Sequence, residues 1–432
     1  MTKGGSMAKS VETMRRSPVL LYAAESANSA AGTLLTVGLL FYMTHRFGWS
    51  ARENFTVAAC QGMLYVLGAL SAKRLAGRWK RIVALQTLYI VMPVFAISAG
   101  IFATIDWAIP TALIVAVETG MMGASWPLLE SLVSAAGDPS RLSRRLGWYN
   151  IVWATTGALA LALSGSIIQH LPPWGFFGIV AAMHLSAGAA ITLRRSLRAR
   201  LAAEPAVASG TNKVESTHPA DEYSERILKL ALWLSRIALP STYVVIFSLA
   251  PALPTLHVIE KLSPALATVQ CSIWFVARAV AFIVLGNTSF WRRRPVLVLV
   301  ASITMLFGFI GTLISGSLTG VDFSTALLLM ALAQFLLGLS LGTIYACSLY
   351  FGMAISRGST EHGGYHEALI GLGQVLGPVV GMIAQWLHPG ALWPVAAGIS
   401  VVITATIVTE TVAGSRIAGG FTAMTKGADD KS

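Results

Sequence analysis

The stretch Arg194–Arg226 reads RRSLRARLAAEPAVASGTNKVESTHPADEYSER, and its reading decides the architecture. Its first part is basic and suits a short amphipathic helix on a membrane surface. The remainder has no apolar periodicity and reads as flexible linker. On either side the chain is strongly apolar. Six runs long enough to span a bilayer precede it and six follow, at about 20 residues each.

The first six runs are Val19–Met43, Phe55–Ala72, Ile82–Ile105, Trp107–Ala135, Leu146–Ile168 and Phe176–Leu193. The second six are Ile227–Leu253, Ala265–Leu285, Pro295–Ile314, Thr325–Phe351, Tyr365–Leu387 and Ala391–Thr409. The expected fold is therefore an all-α membrane protein, with twelve transmembrane helices in two pseudo-symmetric six-helix bundles. The units are 1–193, a linker at 194–226, and 227–432.

Composition agrees. The 432 residues are 55% hydrophobic and 12% charged, with a mean hydropathy of +0.68. A soluble domain carries about 25% charged residues. The net charge of +12 does not point to nucleic acid, because the basic residues cluster between the apolar runs. With the N-terminus placed inside, nearly all of the 31 Lys and Arg fall on the inner side. The outer loops keep only Arg46, Arg52 and Lys261. That asymmetry predicts both termini inside. Trp49, Trp107 and Trp174 then fall at outer edges and Trp79, Trp148 and Trp291 at inner ones, as an interfacial belt requires. The run after Arg15 and Arg16 continues to Met43, so it reads as a span rather than a cleavable signal. Cys60, Cys271 and Cys347 all lie in apolar runs and offer neither disulfide framework nor metal spacing.

The halves repeat weakly. Tyr149, Asn150, Gly157 and Gly165 of the fifth span recur as Tyr365, His366, Gly373 and Gly381 of the eleventh, about 216 residues later. Gly123 and Ser125 recur as Gly338 and Ser340. Parallel six-span repeats put a binding site at mid-membrane between the halves.

Two local patterns carry a family likeness. Gly68-Ala-Leu-Ser-Ala72-Lys73-Arg74-Leu-Ala-Gly77-Arg78 resembles the Gly-x-Leu-Ala-Asp-Arg-x-Gly-Arg loop of the major facilitator superfamily. Ala72 stands where that family has Asp, and one extra residue precedes Gly77. Gly373-Gln-Val-Leu-Gly377-Pro378-Val-Val-Gly381 is similar to that family's Gly-xxx-Gly-Pro-xx-Gly pattern, but it lies in the eleventh span rather than the fifth. The resemblance implies a secondary transporter of a small solute, working by alternating access, with the central cavity lined by spans one, four, seven and ten.

Ionisable groups within spans cost about 2.5–3.5 kcal/mol each on insertion scales, so each needs a reason. Glu118 falls near mid-membrane and reads either as a proton or cation site or as an interhelical bond. Glu25, followed by Asn28, Ser29 and Thr33 on nearby turns, either lines a cavity or ties helices together. Arg278 either pairs with an intramembrane acid or holds an anionic solute. Arg236 snorkels to the inner surface. Gln334 is a single mid-span polar group, read as a solute contact or as packing, and Trp126 and Trp274 are candidate cavity walls. Asn150, Trp153, His366, Glu367 and Gln374 lie near the inner ends of spans five and eleven, as gate residues or ordinary interfacial polarity. Gly68, Gly77, Arg78, Gly373, Gly377, Pro378 and Gly381 are gate and packing candidates.

There is no GxxxxGK[ST] loop, HExxH or GxSxG. The expected protein is thus no enzyme and carries no cofactor or metal. It is a monomer in the lipid bilayer of a cell membrane, with a small-molecule substrate and protons as partners and no nucleic acid. A non-transporting receptor or scaffold on the same fold is the alternative.

Overall fold

A computed structural model describes residues 18–136, 142–203, 222–355 and 360–429. Among the described residues, twelve long helices run up and down. α1 begins as Val19–Thr33, passes through a π-helical turn at Leu34–Gly38 and ends as Leu39–Phe47. α2 is Ala51–Trp79, α3 Arg81–Thr104, α4 Ala108–Ser134, α5 Leu142–His170 and α6 Pro173–Ala203. α7 is Glu222–Ala252, and α8 is Pro264–Cys271 continued by Ile273–Asn287. α9 is Val296–Ser317, α10 Phe323–Ile355, α11 Thr360–Leu387 and α12 Trp393–Asp429. Eleven of these are long and apolar enough to cross a membrane. The π turn divides the remaining one, α1.

Helix pairing repeats with an offset of six. α2 packs on α4, α3 on α4 and α6, and α1 on α5 and α6. Correspondingly, α8 packs on α10, α9 on α10 and α12, and α7 on α11 and α12. The most extensive contacts that join the first six helices to the last six are α2 on α11 and α5 on α8. Here the backbones come very close. A Cβ on Gly62 of α2 would overlap the Gln374 carbonyl of α11, and one on Gly165 of α5 would overlap the Pro264 carbonyl of α8. Small residues make such approach possible, which is how helices gain packing where lipid removes the hydrophobic incentive.

The outer surface is apolar, with Leu67, Ile90, Ile97, Leu113, Leu328 and Val401 all exposed. Only a lipid environment suits that surface. Trp107, Trp174, Trp386 and Trp393 are exposed at one face, and Trp79, Trp148 and Trp233 at the other, which also carries the basic loops. Trp291 does not join the expected belt. It is buried, packs its ring on Tyr350 at 4.9 Å and Phe351 at 5.7 Å, and donates to the Leu285 carbonyl at 2.9 Å.

Three boundaries differ from expectation. The segment likened to a loop, Gly68–Arg78, is the last part of α2. Its Ala, Leu, Lys and Arg are good helix formers, so the helix simply continues past the apolar run. The reversal is made at Lys80, whose φ of 60° is rare for a residue with a side chain. The basic run from Arg194 is not a separate surface helix either, because α6 continues through it to Ala203. At the other end α7 has begun by Glu222, so the expected linker is helical at both ends; 204–221 lie outside the described residues. On the face away from the basic loops, Gly48 closes α1 at φ 66° and Ser50 with Glu53 forms a capping box at the start of α2.

Candidate functional site

A cavity of about 130 Å³ lies between the first six helices and the last six. α1, α2, α4 and α5 supply one side of its wall, and α7, α8, α10 and α11 the other. Three carboxylic acids line it, Glu25 from α1, Glu130 from α4 and Glu367 from α11, together with one cation, Arg278 from α8. All four are buried.

Glu25 is held by one oxygen. Ser29, one turn on, donates to its Oε1 at 2.6 Å, and the Trp126 indole donates to the same atom at 3.2 Å. Its Oε2 is buried without a hydrogen-bond partner among the described residues. Trp126 reaches over α1 because Gly32 leaves room, where a Cβ would come within 2.9 Å of the indole. Glu367 receives the Tyr65 hydroxyl at 3.0 Å, a bond that crosses from α2 to α11. Glu130 lies within electrostatic range of both other carboxyls.

Arg278 is held by rings. Its guanidinium lies 4.3 Å from the Trp153 ring, 4.4 Å from Phe275 and 5.1 Å from Trp274. Such stacking stabilises a desolvated guanidinium by about 2 kcal/mol. Its polar neighbours are the phenols of Tyr243 and Tyr345. No carboxylate pairs with it among the described residues. The intramembrane acid expected as its possible partner is therefore not against it.

The π turn of α1 forms part of the wall through Thr36 and Val37. A π turn misaligns backbone hydrogen bonds and recurs at functional sites. Gln61 of α2 braces it, donating to the Leu35 carbonyl at 2.9 Å and to Thr119 of α4 at 3.1 Å.

The remaining expected residues are dispersed. Glu118 is fully buried but faces α6, where His184 Nε2 lies 3.0 Å from its Oε1. It does not line the cavity. Asn28 and Gln334 are buried outside the lining. Asn150 stands behind the wall, accepting from the Trp153 indole at 3.3 Å. His366 meets Ser348 at 3.2 Å. Gly68 packs on the Gly120 carbonyl of α4, while Gly77 and Arg78 are exposed. The glycines around Pro378 serve two neighbours: Gly373 and Gly377 admit the Pro240 and Val244 carbonyls of α7, and Gly381 admits the Phe55 ring of α2.

Sequence reasoning missed Glu130, Tyr65, Tyr149, Tyr243 and Tyr345. Glu130 carried a usable signal, an acid inside an apolar run one turn after Trp126. It also missed Glu410 of α12, which accepts from Ser302 of α9 at 3.1 Å.

A family model described as Major Facilitator Superfamily matches residues 21–359. No curated protein matches the sequence. Among solved structures, the xylose transporter XylE from E. coli, in a partially occluded inward-open conformation, is similar with a TM-score of 0.63. It is 10% identical, and the match covers 92% of this chain and 96% of that one. A mutant of the nucleoside transporter NupG is similar with a TM-score of 0.56 and 13% identity, over 91% of this chain and 99% of that one. At these identities the likeness is one of fold.

Proposed function

This chain belongs to the Major Facilitator Superfamily, and on that premise we propose that it is a secondary transporter of a small solute, with the cavity around Glu25, Glu130, Glu367 and Arg278 as its solute site. The observation that carries this reading is the cavity's place. It lies where α2 meets α11 and α5 meets α8, and buried charges without ion-pair partners face into it. Buried charge at the centre of a membrane protein is costly and marks a solute or proton path.

In this reading the units 1–193 and 227–432 rock about the cavity, joined by 194–226, and expose it to each side in turn. Both termini face the cytoplasm of a cell, and the protein works as a monomer in its limiting membrane. Protons are the coupling ion. Glu25, which lines the cavity, is the first carboxyl to take one; Glu118, which faces α6 instead, is not the coupling group.

The test is flux in proteoliposomes of the purified chain, with radiolabelled amines, amino acids, sugars and nucleosides and an imposed pH gradient. At least one solute should accumulate against its gradient. Glu25→Gln should abolish that accumulation while counterflow exchange persists. Proton coupling is refuted if accumulation survives in Glu25→Gln, Glu130→Gln and Glu367→Gln alike. Absence of flux for every solute class refutes transport itself.

A further inference from the structure

The two most extensive contacts between the halves carry opposite charge. Where α5 meets α8, the cavity wall presents Arg278, stacked on Trp153 from across the contact. Where α2 meets α11, it presents Glu367, bonded to Tyr65 from across the contact. Glu25 and Glu130 add to the acidic side, within electrostatic range of Glu367. The repeat does not dictate this polarity. About 216 residues before Arg278 the chain has Gly62, and the same distance before Glu367 it has Ile151.

The opposite charges do not neutralise one another. Arg278 has no carboxylate partner among the described residues, and its polar neighbours are the Tyr243 and Tyr345 phenols. One oxygen of Glu25 is likewise unpartnered. The rings of Tyr149, Trp126, Trp153 and Tyr345 line the cavity alongside these charges. A buried charge whose partner is missing is strongly destabilising. A cationic solute would leave Arg278 uncompensated, and an anionic solute would leave the acids so.

We propose that the cavity takes an amphoteric solute, one that carries an ammonium and a carboxylate at opposite ends of an apolar or aromatic body. The ammonium faces Glu367, Glu25 and Glu130. The carboxylate meets the fork of Arg278, whose planar pair of N–H donors matches two carboxylate oxygens. The body lies against the rings. This inference rests on reading the cavity as the solute site and names the class of solute it fits.

The test is a molecular ruler. The purified full-length protein is titrated with 4-aminobutyric, 6-aminohexanoic and 8-aminooctanoic acids and with 4-(aminomethyl)benzoic acid, and thermal stabilisation is followed. Hexylamine, hexanoic acid and hexanol are the singly charged and neutral controls. One amino acid should bind best, and each control should require at least about tenfold more for equal stabilisation, since a hydrogen bond to a charged group is worth that much in affinity. Arg278→Gln should reduce the best amino acid to the level of hexylamine. Arg278→Lys keeps the charge without the fork; it should still prefer the amino acid over hexylamine, and it serves as the readout if the Gln variant does not fold. Glu367→Gln should weaken the amino acid and hexylamine alike and leave hexanoic acid unchanged. Binding of hexylamine or hexanoic acid as tight as the best amino acid overturns the proposal, as does no binding by any amino acid of the series. Tight amino-acid binding without flux would refute transport and leave this assignment standing. Flux of a neutral sugar that is indifferent to Arg278→Gln would do the reverse.

Discussion

Glu118 and Glu130 share one helix and have opposite circumstances. Both are acids on α4 and both are buried. Twelve residues at about 100° each place them roughly 120° apart around the axis. Glu118 consequently faces α6 and meets His184, while Glu130 faces the cavity with Glu25 and Glu367. The first is a closed pair within a packed interface. The second belongs to an open group, which lines the cavity and has no ion-pair partner among the described residues. Depth in the membrane does not decide what a buried charge faces; its position around the helix does.

That contrast can be broken at the closed pair first. His184→Leu removes the partner and leaves the Glu118 carboxyl buried alone, which should destabilise the protein by about 3 kcal/mol. The detergent melting temperature should fall steeply, and the double variant His184→Leu with Glu118→Leu should recover most of the loss. Melting unchanged in His184→Leu would show that the pair contributes nothing.

A smaller effect should follow where the halves touch. Gly165→Ala drives a methyl into the Pro264 carbonyl, and overpacking of this kind costs about 1–3 kcal/mol. Because it acts where α5 meets α8, it should shift the balance between cavity-open states, read as altered accessibility of a single cysteine introduced at Thr36. Accessibility identical to the parent would show that this contact does not govern opening.

The smallest effect belongs to the open group. Tyr65→Phe deletes the hydroxyl bonded to Glu367 and should cost about 1 kcal/mol in stability, while flux falls more than stability does. Equal loss in both would make Tyr65 a packing residue like any other. Across the three substitutions, damage to the closed pair should register in melting and damage to the open group in transport.

The architecture was legible because long apolar runs and basic loops are properties of segments. Single exchanges hardly blur them. The wall was not legible. Lipid is as apolar as a helix interface, so a membrane helix need not alternate in polarity, and no period announces which face Tyr65, Tyr149, Tyr243 or Tyr345 presents. Glu118 was singled out for its depth, and its dependence on His184, some sixty residues on, had no local signal. Glu25 was recognisable because Ser29 and Thr33 continue its stripe. Arg278 was visible as a charge with Trp274 and Phe275 one turn before it, but its third ring was not, because Trp153 comes from the other half of the chain.

The π turn of α1 acts as a phase shifter within a single helix. It inserts one residue, and one residue is worth about 100° of rotation. Below it, Glu25 and Ser29 point to the cavity. Beyond it, Tyr42 is clamped by the rings of Phe176 and Phe177 on α6, at 5.1 and 5.3 Å. Deleting one residue from Leu34–Gly38 would leave both ends chemically intact and put them out of phase, so that the aromatic anchor and the acid could no longer face their partners together. The angular relation of the two ends is therefore encoded in chain length rather than in any side chain.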